Sequence, residues 1–287
     1  MISVIIPSKD RCKYLQKTLP IFLSQPEVSE VIVVIDGSTD GTLDYLKDMK
    51  AQNAAVRFID NGTNKGIPYS KNIGINAARF EYIFIGEDDV ELTTGFFAIL
   101  LKDMKIINAD VICGRNIFRY DYETADESIN RTSVTHGAYI NSRMIEVSTS
   151  MDIGRDMLTT MSAAPVLGKA TIFKNIPFDE RFKVNFWREE TDFQFSLQEA
   201  GYTLGSCPHA ICFNYVITDD IGGVHGSGSF KRAKWILINN WLFINKHETF
   251  IKENFDVRSK YSYIAVFGLR MGYLFMKRIL LHTRRST

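Results

Sequence analysis

Tyr82-Ile83-Phe84-Ile85-Gly86-Glu87-Asp88-Asp89-Val90 sets an apolar run directly against three consecutive carboxylates. The run is short and does not alternate, the pattern of a strand buried on both faces of a parallel sheet. The acids then fall at its carboxyl end, where open α/β sheets place their ligands. Adjacent carboxylates repel one another, so a fold that gathers them supplies a cation. Oxygen-only donors suit Mg²⁺ or Mn²⁺ rather than zinc. A solvated acidic turn would also account for the tripeptide alone, and the sequence on either side decides.

Upstream, residues 2–6 form a β-branched run stopped by Pro7, a buried strand and its turn. The polar loop Ser8-Lys9-Asp10-Arg11 follows. Leu15, Leu19, Phe22 and Leu23 then keep helical spacing, with Pro20 predicted to kink or end that helix early. Val31 to Ile35 is a second strand. It delivers Asp36-Gly37-Ser38-Thr39-Asp40-Gly41-Thr42, a tight loop whose exposed N–H groups accommodate a phosphate or nucleoside. Asp36, at the strand tip, is placed to accept hydrogen bonds from a base or ribose. Val56 to Ile59 is a third strand, and Asn64-Lys65-Gly66 leads into a helix through Ala78. Lys65 and Lys71 lie near its N-terminus, where a cation is unfavourable unless an anion is bound. The first ninety residues thus read β-α-β-α-β-α-β, a doubly wound arrangement with its polar loops on one rim. No Gly-x-Gly-x-x-Gly follows strand one and no Gly-x-x-x-x-Gly-Lys-Ser/Thr occurs, which disfavours dinucleotide oxidoreductases and P-loop phosphotransferases.

Downstream, residues 94–107 read as a helix and Val111 to Gly114 as a strand, while 118–133 receive no assignment. Residues 134–176 are expected to build an acceptor-side wall. A second acidic cluster, Trp187-Arg188-Glu189-Glu190-Thr191-Asp192, opens a helix ended by Gly201. Acids suit a first helical turn for electrostatic reasons alone. The functional alternative makes one of them a general base beside an aromatic wall of Phe186 and Trp187. Residues 203–217 suggest short strands. A glycine-rich loop then holds His225, which is either solvent-facing or a ligand of an Mn²⁺-type site.

A net charge of +1 gives no basic excess, so no nucleic-acid partner is expected. The four cysteines match no zinc spacing and read as reduced thiols of a cytoplasmic protein. The N-terminus reads as a strand rather than a signal peptide. From Phe230 onward, basic residues interleave with aromatics, and Arg270 breaks the longest apolar run. Such a tail suits either the inner, anionic membrane surface or packing against the sheet.

These blocks together resemble the family 2 glycosyltransferases, across the first 95 residues and again at about 165–247. Val33 to Thr42 is similar to that family's Asp-Asp-Gly-Ser-Thr-Asp-Gly-Thr block, with Ile35 for the first Asp and Asp36 kept. Asn64 to Asn72 resembles its Asn-x-Gly…Ala-Arg-Asn block, with Lys71 for arginine. Glu87-Asp88-Asp89 falls on its Asp-x-Asp motif, and Glu189-Glu190-Thr191-Asp192 on its Glu-Asp-x-Asp block. The resemblance implies a GT-A fold, α/β with a mostly parallel sheet, over residues 1–215 (acceptor side about 115–215), and a helical extension over 216–287. It implies inverting transfer from a nucleotide-diphosphate sugar to a glycan or lipid-linked acceptor in surface polysaccharide synthesis. Pro7, Ser8, Asp10, Arg11, Asp36, Gly37, Ser38, Lys65, Lys71, Glu87 and Asp88 would bind the donor. Asp89, Glu87 and His225 would hold Mn²⁺ or Mg²⁺. Glu190 would be the base, with Asp192 the alternative and Glu189 beside them, and Trp187 would contact the acceptor. The rivals are a sugar-nucleotide pyrophosphorylase and an inactive carbohydrate-binding homologue.

Overall fold

Strand β1 (Ile2–Ser8) leads through helix α1 (Cys12–Leu23) to β2 (Val28–Ile35), α2 (Thr42–Gln52), β3 (Val56–Asp60), α3 (Ile67–Ala77) and β4 (Tyr82–Ile85). The structure is a computed structural model describing residues 1–133, 137–216 and 229–283. After β4 come β5 (Val90–Leu92), α4 (Phe96–Ile106), β6 (Val111–Arg119) and α5 (Ala125–Ser133). Four short strands follow: β7 (Ile140–Asn141), β8 (Glu146–Val147), β9 (Met157–Leu158) and β10 (Val166–Lys169). Then come α6 (Ala170–Asn175), α7 (Glu189–Glu199), β11 (Leu204–Tyr215), α8 (Ser229–Lys246), α9 (Glu248–Asn254) and α10 (Lys260–Thr283).

The main sheet runs β3-β2-β1-β4-β10-β6-β11-β5, with β9 also on β11, and β7 and β8 form a separate pair. β3, β2, β1 and β4 are parallel, and the apolar runs of β1, β2 and β4 suit strands covered on both faces, while β3 at the edge carries Arg57 and Asp60. The chain winds outward from β1 to β3 and returns to β4 on the other side of β1. A crevice therefore opens where the strand order reverses, beyond the carboxyl ends of β1, β2 and β4. Ser8 pairs with Ile35 and Ile5 with Ile85, so the loops after all three strands meet there.

Successive residues of β4 point to opposite faces and both are buried. Phe84 packs edge-on against Phe96 and Phe97 at 5.8 and 4.9 Å, under α1 and α4. Ile83 and Ile85 join the other face, where Phe193 stacks between Phe173 and Phe178 at 5.4 and 4.2 Å. Each such fully buried side chain contributes about 2 kcal/mol. A third cluster joins Phe182 and Phe195 to Phe243 of α8, Ile251 of α9 and Phe267 of α10.

Several sequence expectations change. α1 does not end at Pro20 but runs on to Leu23. The carbonyl that Pro20 leaves unpaired belongs to Gln16, which faces solvent, while Leu19 and Phe22 are fully buried and hold the last turn to the sheet. β6 extends past Gly114 because residues 115–119 pair with 211–215. Residues 204–215 form one strand rather than several, with the register slipping between Ser206 and Ile211, around Pro208. The 118–133 stretch contains α5, started by a reciprocal cap. Thr124 Oγ1 accepts from the Glu127 amide at 3.2 Å, and the Glu127 carboxylate accepts from the Thr124 amide at 2.8 Å. The tail helices pack one side on the third cluster, while Trp241, Tyr261 and Leu269 stay exposed. Among the described residues no helix is long and apolar enough to cross a membrane.

Candidate active site

The crevice is a cavity of about 690 Å³ lined by residues from the β1, β2, β3 and β4 loops, the start of α7, β11 and α8. Glu87, Asp88 and Asp89 form one wall. Ser8 Oγ donates to Asp88 Oδ2 at 2.7 Å, and Arg11 Nη1 donates to Asp89 Oδ2 at 3.0 Å. Asn214 of β11 donates to Glu87 Oε2 at 2.8 Å. Burial, then repulsion from Asp89, pushes Asp88 up to about 7 despite Arg11 and Ser8. Burial, then Glu190 and Asp89, holds Glu87 well above the usual carboxylate range. Three clustered carboxylates offering only oxygen are a donor set that fits a hard divalent cation, and their crowding leaves them short of positive charge.

The opposite wall comes from the second acidic segment. Val184, Phe186 and Arg188 have φ of +68°, +51° and +74°, a strained turn that brings Glu189 and Glu190 into the crevice. The buried Arg188 guanidinium fixes this turn. It donates to the carbonyls of Met144 (2.9 Å) and Ile145, to Asn240 Oδ1 (3.1 Å) and to the Tyr263 hydroxyl (2.6 Å). Lys71 reaches across from α3, with Nζ 2.5 Å from Glu189 Oε1 and 3.1 Å from Glu190 Oε1. Burial opposes its charge, but the two glutamates outweigh that and hold Lys71 above its ordinary range. Burial, with Glu190 adding to it, pushes Glu189 up to about 7 in spite of Lys71.

The structure brings Pro7, Ser8, Arg11, Asp36, Lys65, Lys71, Glu87, Asp88, Asp89, Glu189 and Glu190 to the cavity lining. Asp36 is also the knot of the rim: Oδ1 accepts from Asn61 Nδ2 and the Lys65 amide at 3.0 and 2.7 Å, and Oδ2 from the Gly66 amide at 2.9 Å. Asp10, Gly37 and Ser38 stand just behind the lining. Asp10 accepts from the Thr39 amide at 2.6 Å, and its own amide donates to Ser38 Oγ at 2.9 Å. Gly37, at φ +71°, lets the β3 loop pass so close that a Cβ would lie 2.6 Å from the Asn64 nitrogen.

Asp192 does not line the cavity. It is 1% exposed and accepts from His247 Nε2 at 2.9 Å and Lys246 Nζ at 2.7 Å, which ties α7 to α8. Trp187 lines a neighbouring cavity of about 320 Å³ that shares Ile67, Phe186, Glu189 and Glu190 with the first. His225 lies outside the described residues. Sequence reasoning passed over Lys183 and Asn214, read Lys231 only as a tail cation and gave Asn64 a place in a motif but no contact; all four line the main cavity. A separate trio, Asp103, Asp156 and Cys207, brings its ligand atoms within 4.8 Å of one another. There the Cys207 thiol donates to Asp103 at 3.0 Å, and burial pushes its pKa up.

A doubly wound sheet places its ligand site at the switch point, and here that site is an acidic crevice. The profile of glycosyl transferase family 2 matches residues 3–164, more than half of the 287-residue chain, and the chain belongs to that family. Among curated relatives, glycosyltransferase GlyG of Streptococcus pneumoniae is 32% identical over 122 residues, covering 42% of this chain and 40% of its own length. Poly-beta-1,6-N-acetyl-D-glucosamine synthase of Staphylococcus epidermidis is 24% identical over 249 residues, 82% of this chain and 53% of that one. The chain thus spans about half the length of these relatives. Among solved structures, S. aureus TarS 1–349 in complex with UDP-GlcNAc superposes with a TM-score of 0.61 at 16% identity, covering 96% of this chain and 73% of that one. GalNAc-T7 with UDP, GalNAc and Mn²⁺ gives 0.64 at 13% identity, covering 85% and 47%. These likenesses establish the GT-A fold expected from the sequence.

Proposed function

We propose that this protein is an inverting glycosyltransferase that moves a sugar from a nucleotide-diphosphate donor to a hydroxyl of a glycan or lipid-linked acceptor, in the making of a surface polysaccharide. The observation that carries this reading is the meeting, in one cavity, of two carboxylate groups from segments 100 residues apart in sequence (87–89 and 189–190), ringed by lysines. Residues 1–215 would be the catalytic unit and 216–287 its helical extension.

The β1 and β2 loops would hold the nucleoside, with Asp36 keeping the Asn61–Gly66 rim in shape. Lys9, Lys65, Lys183 and Lys231 surround the space with charge that suits a diphosphate. Asp89, with Glu87 and Asp88 beside it, would hold an Mn²⁺ or Mg²⁺ ion, which when bound offsets charge growing on the leaving diphosphate. Glu190 borders both cavities, and its side chain is 39% exposed, so an acceptor hydroxyl can reach it. It would take that hydroxyl's proton as the oxygen attacks the anomeric carbon from the face opposite the diphosphate. A single displacement inverts the centre and needs no enzyme nucleophile. Asp192, locked by His247 and Lys246, would serve as a strut for α7 rather than as the base. Trp187 would offer its ring to the acceptor sugar. The exposed Trp241, Tyr261 and Leu269, with Lys260 over the first two rings at 6.0 and 5.6 Å, suit an anionic membrane surface. The deciding experiment screens nucleotide sugars for donor hydrolysis with Mn²⁺, using wild type and Asp89→Ala. Turnover in the wild type that Asp89→Ala and chelator abolish supports the reading. Turnover that survives both overturns it.

A further inference from the structure

Arg11 already occupies the place of a cation between Asp88 and Asp89. Its Nη1 lies 3.0 Å from Asp89 Oδ2 and 3.8 Å from Asp88 Oδ1, and its side chain is 7% exposed. The guanidinium rests 5.3 Å over the Tyr14 ring. Its Nε is buried without an acceptor, although the residue lines the cavity. A buried guanidinium donor left idle is unfavourable, and an anion entering the cavity is the natural partner for it. The backbone of Arg11 is fixed, because its carbonyl accepts from the Tyr14 and Leu15 amides at 3.0 and 3.1 Å. Only the side chain is therefore needed for any change of partner.

Guanidinium charge is permanent at any working pH. The carboxylates it pairs with are the ones that would hold a divalent ion under the reading proposed above, on which this inference rests. A divalent ion and a guanidinium held on the same oxygens repel strongly in so enclosed a space. Neither can be neutralised by losing a proton. The conflict is relieved when a diphosphate arrives, since it gives Arg11 new acceptors while bridging to the ion.

We infer that Arg11 is a resident counter-ion of the Asp88–Asp89 pair that yields its place only when ion and nucleoside diphosphate arrive together. Arg11 is thus a positioning residue that couples the two binding events. By linkage, the nucleotide tightens the ion and the ion tightens the nucleotide by the same factor.

Mn²⁺ binding, followed by paramagnetic resonance of the free ion, tests this in wild type, Arg11→Gln and Arg11→Lys, each with and without UDP or GDP. Thermal unfolding checks that each variant is folded. The wild type should bind Mn²⁺ weakly alone and about tenfold more tightly with the matching nucleotide. Arg11→Gln should bind Mn²⁺ alone about tenfold more tightly than wild type, and its further gain from nucleotide should be smaller than the wild type's, reduced to what the diphosphate's own contact with the ion supplies. Arg11→Lys keeps the charge and should follow wild type. Equal Mn²⁺ affinity in wild type and Arg11→Gln without nucleotide overturns the role of Arg11 and leaves the metal–diphosphate reading standing. Tight Mn²⁺ binding by Arg11→Lys alone overturns it too. Failure of every form to bind Mn²⁺ with either nucleotide overturns the metal–diphosphate reading and this inference with it.

Discussion

Replacing Lys71 with methionine keeps the side-chain volume and removes the one charge that joins α3 to the start of α7. Lys71 and Glu189 are 3% and 5% exposed, so the loss leaves a buried carboxylate without its counter-ion. Breaking such a pair from one side costs about 3–5 kcal/mol. The full amount applies only while Glu189 is ionised, and burial already pushes its carboxyl to about 7. At pH 8 the native acid is largely charged, and Lys71→Met should lose about 3–5 kcal/mol. At pH 6 it is largely protonated, and the loss should shrink to about 1.5–3 kcal/mol, the worth of a hydrogen bond to a charged group. Lys71 itself, raised above its ordinary range, stays charged across this window and adds no slope. Urea unfolding at both pH values, for wild type, Lys71→Met, Glu189→Gln and the double variant, measures this directly. The double variant should recover most of the loss at pH 8. Equal losses at pH 6 and pH 8, or a double variant no more stable than Lys71→Met, would refute the reasoning.

Under the proposed function, Glu190→Gln should lower kcat by about 10²–10⁴-fold with donor KM little changed, since it would remove the proton acceptor and not a donor contact. Steady-state kinetics across donor concentrations checks this, and a large donor KM rise at constant kcat would count against it. Trp187→Ala should raise acceptor KM several-fold while donor hydrolysis without acceptor stays the same. Glu30, fully buried, accepts from Ser3 Oγ (2.8 Å), Arg57 Nη1 (2.6 Å) and the Arg79 amide (2.8 Å), and these contacts outweigh burial and lower its pKa. Glu30→Gln should therefore cost about 1–2 kcal/mol at pH 7, since the arginines it leaves behind reach solvent. A lowered pKa gives stability that is present above the unfolded value and lost as pH falls through the folded one. The cost should then fade on acidification below pH 4.5, as urea midpoints would record.

Much of the sheet is legible because its strands are buried on both faces. Val31 to Ile35 and Tyr82 to Ile85 announce themselves as apolar runs, and Ile2 to Ile6 does so despite Ser3; the loops they deliver carry the residues expected to bind the donor. The capping box Thr124-Ala125-Asp126-Glu127 is also present in the sequence, but α5 escapes assignment because the stretch it opens is too polar to show a helical apolar face. Other features lie beyond local pattern. Lys71 reads as an anion-binding cation at a helix start, yet its partners stand 118 and 119 residues away. Asp192 reads as a candidate base because it shares a motif with Glu190. Helical spacing turns it to the other side of α7, onto His247 and Lys246. Lys183 and Asn214 carry no motif at all and reach the cavity only through the strained turn and β11.

Arg188, Asp192 and Asn239 show where the boundary of a usable fragment must lie. The family profile stops at residue 164, before α7 begins. The groups that fix α7 come from further still: Asn240 and Tyr263 on Arg188, His247 and Lys246 on Asp192, and Asn239 on Lys183. An expression fragment trimmed ahead of α8 would keep every strand of the sheet and all the donor-side acids. It would also strip Arg188 of its Asn240 and Tyr263 partners and Asp192 of both its cations, beside Glu190. Under the proposed function, such a fragment would bind donor without transferring the sugar.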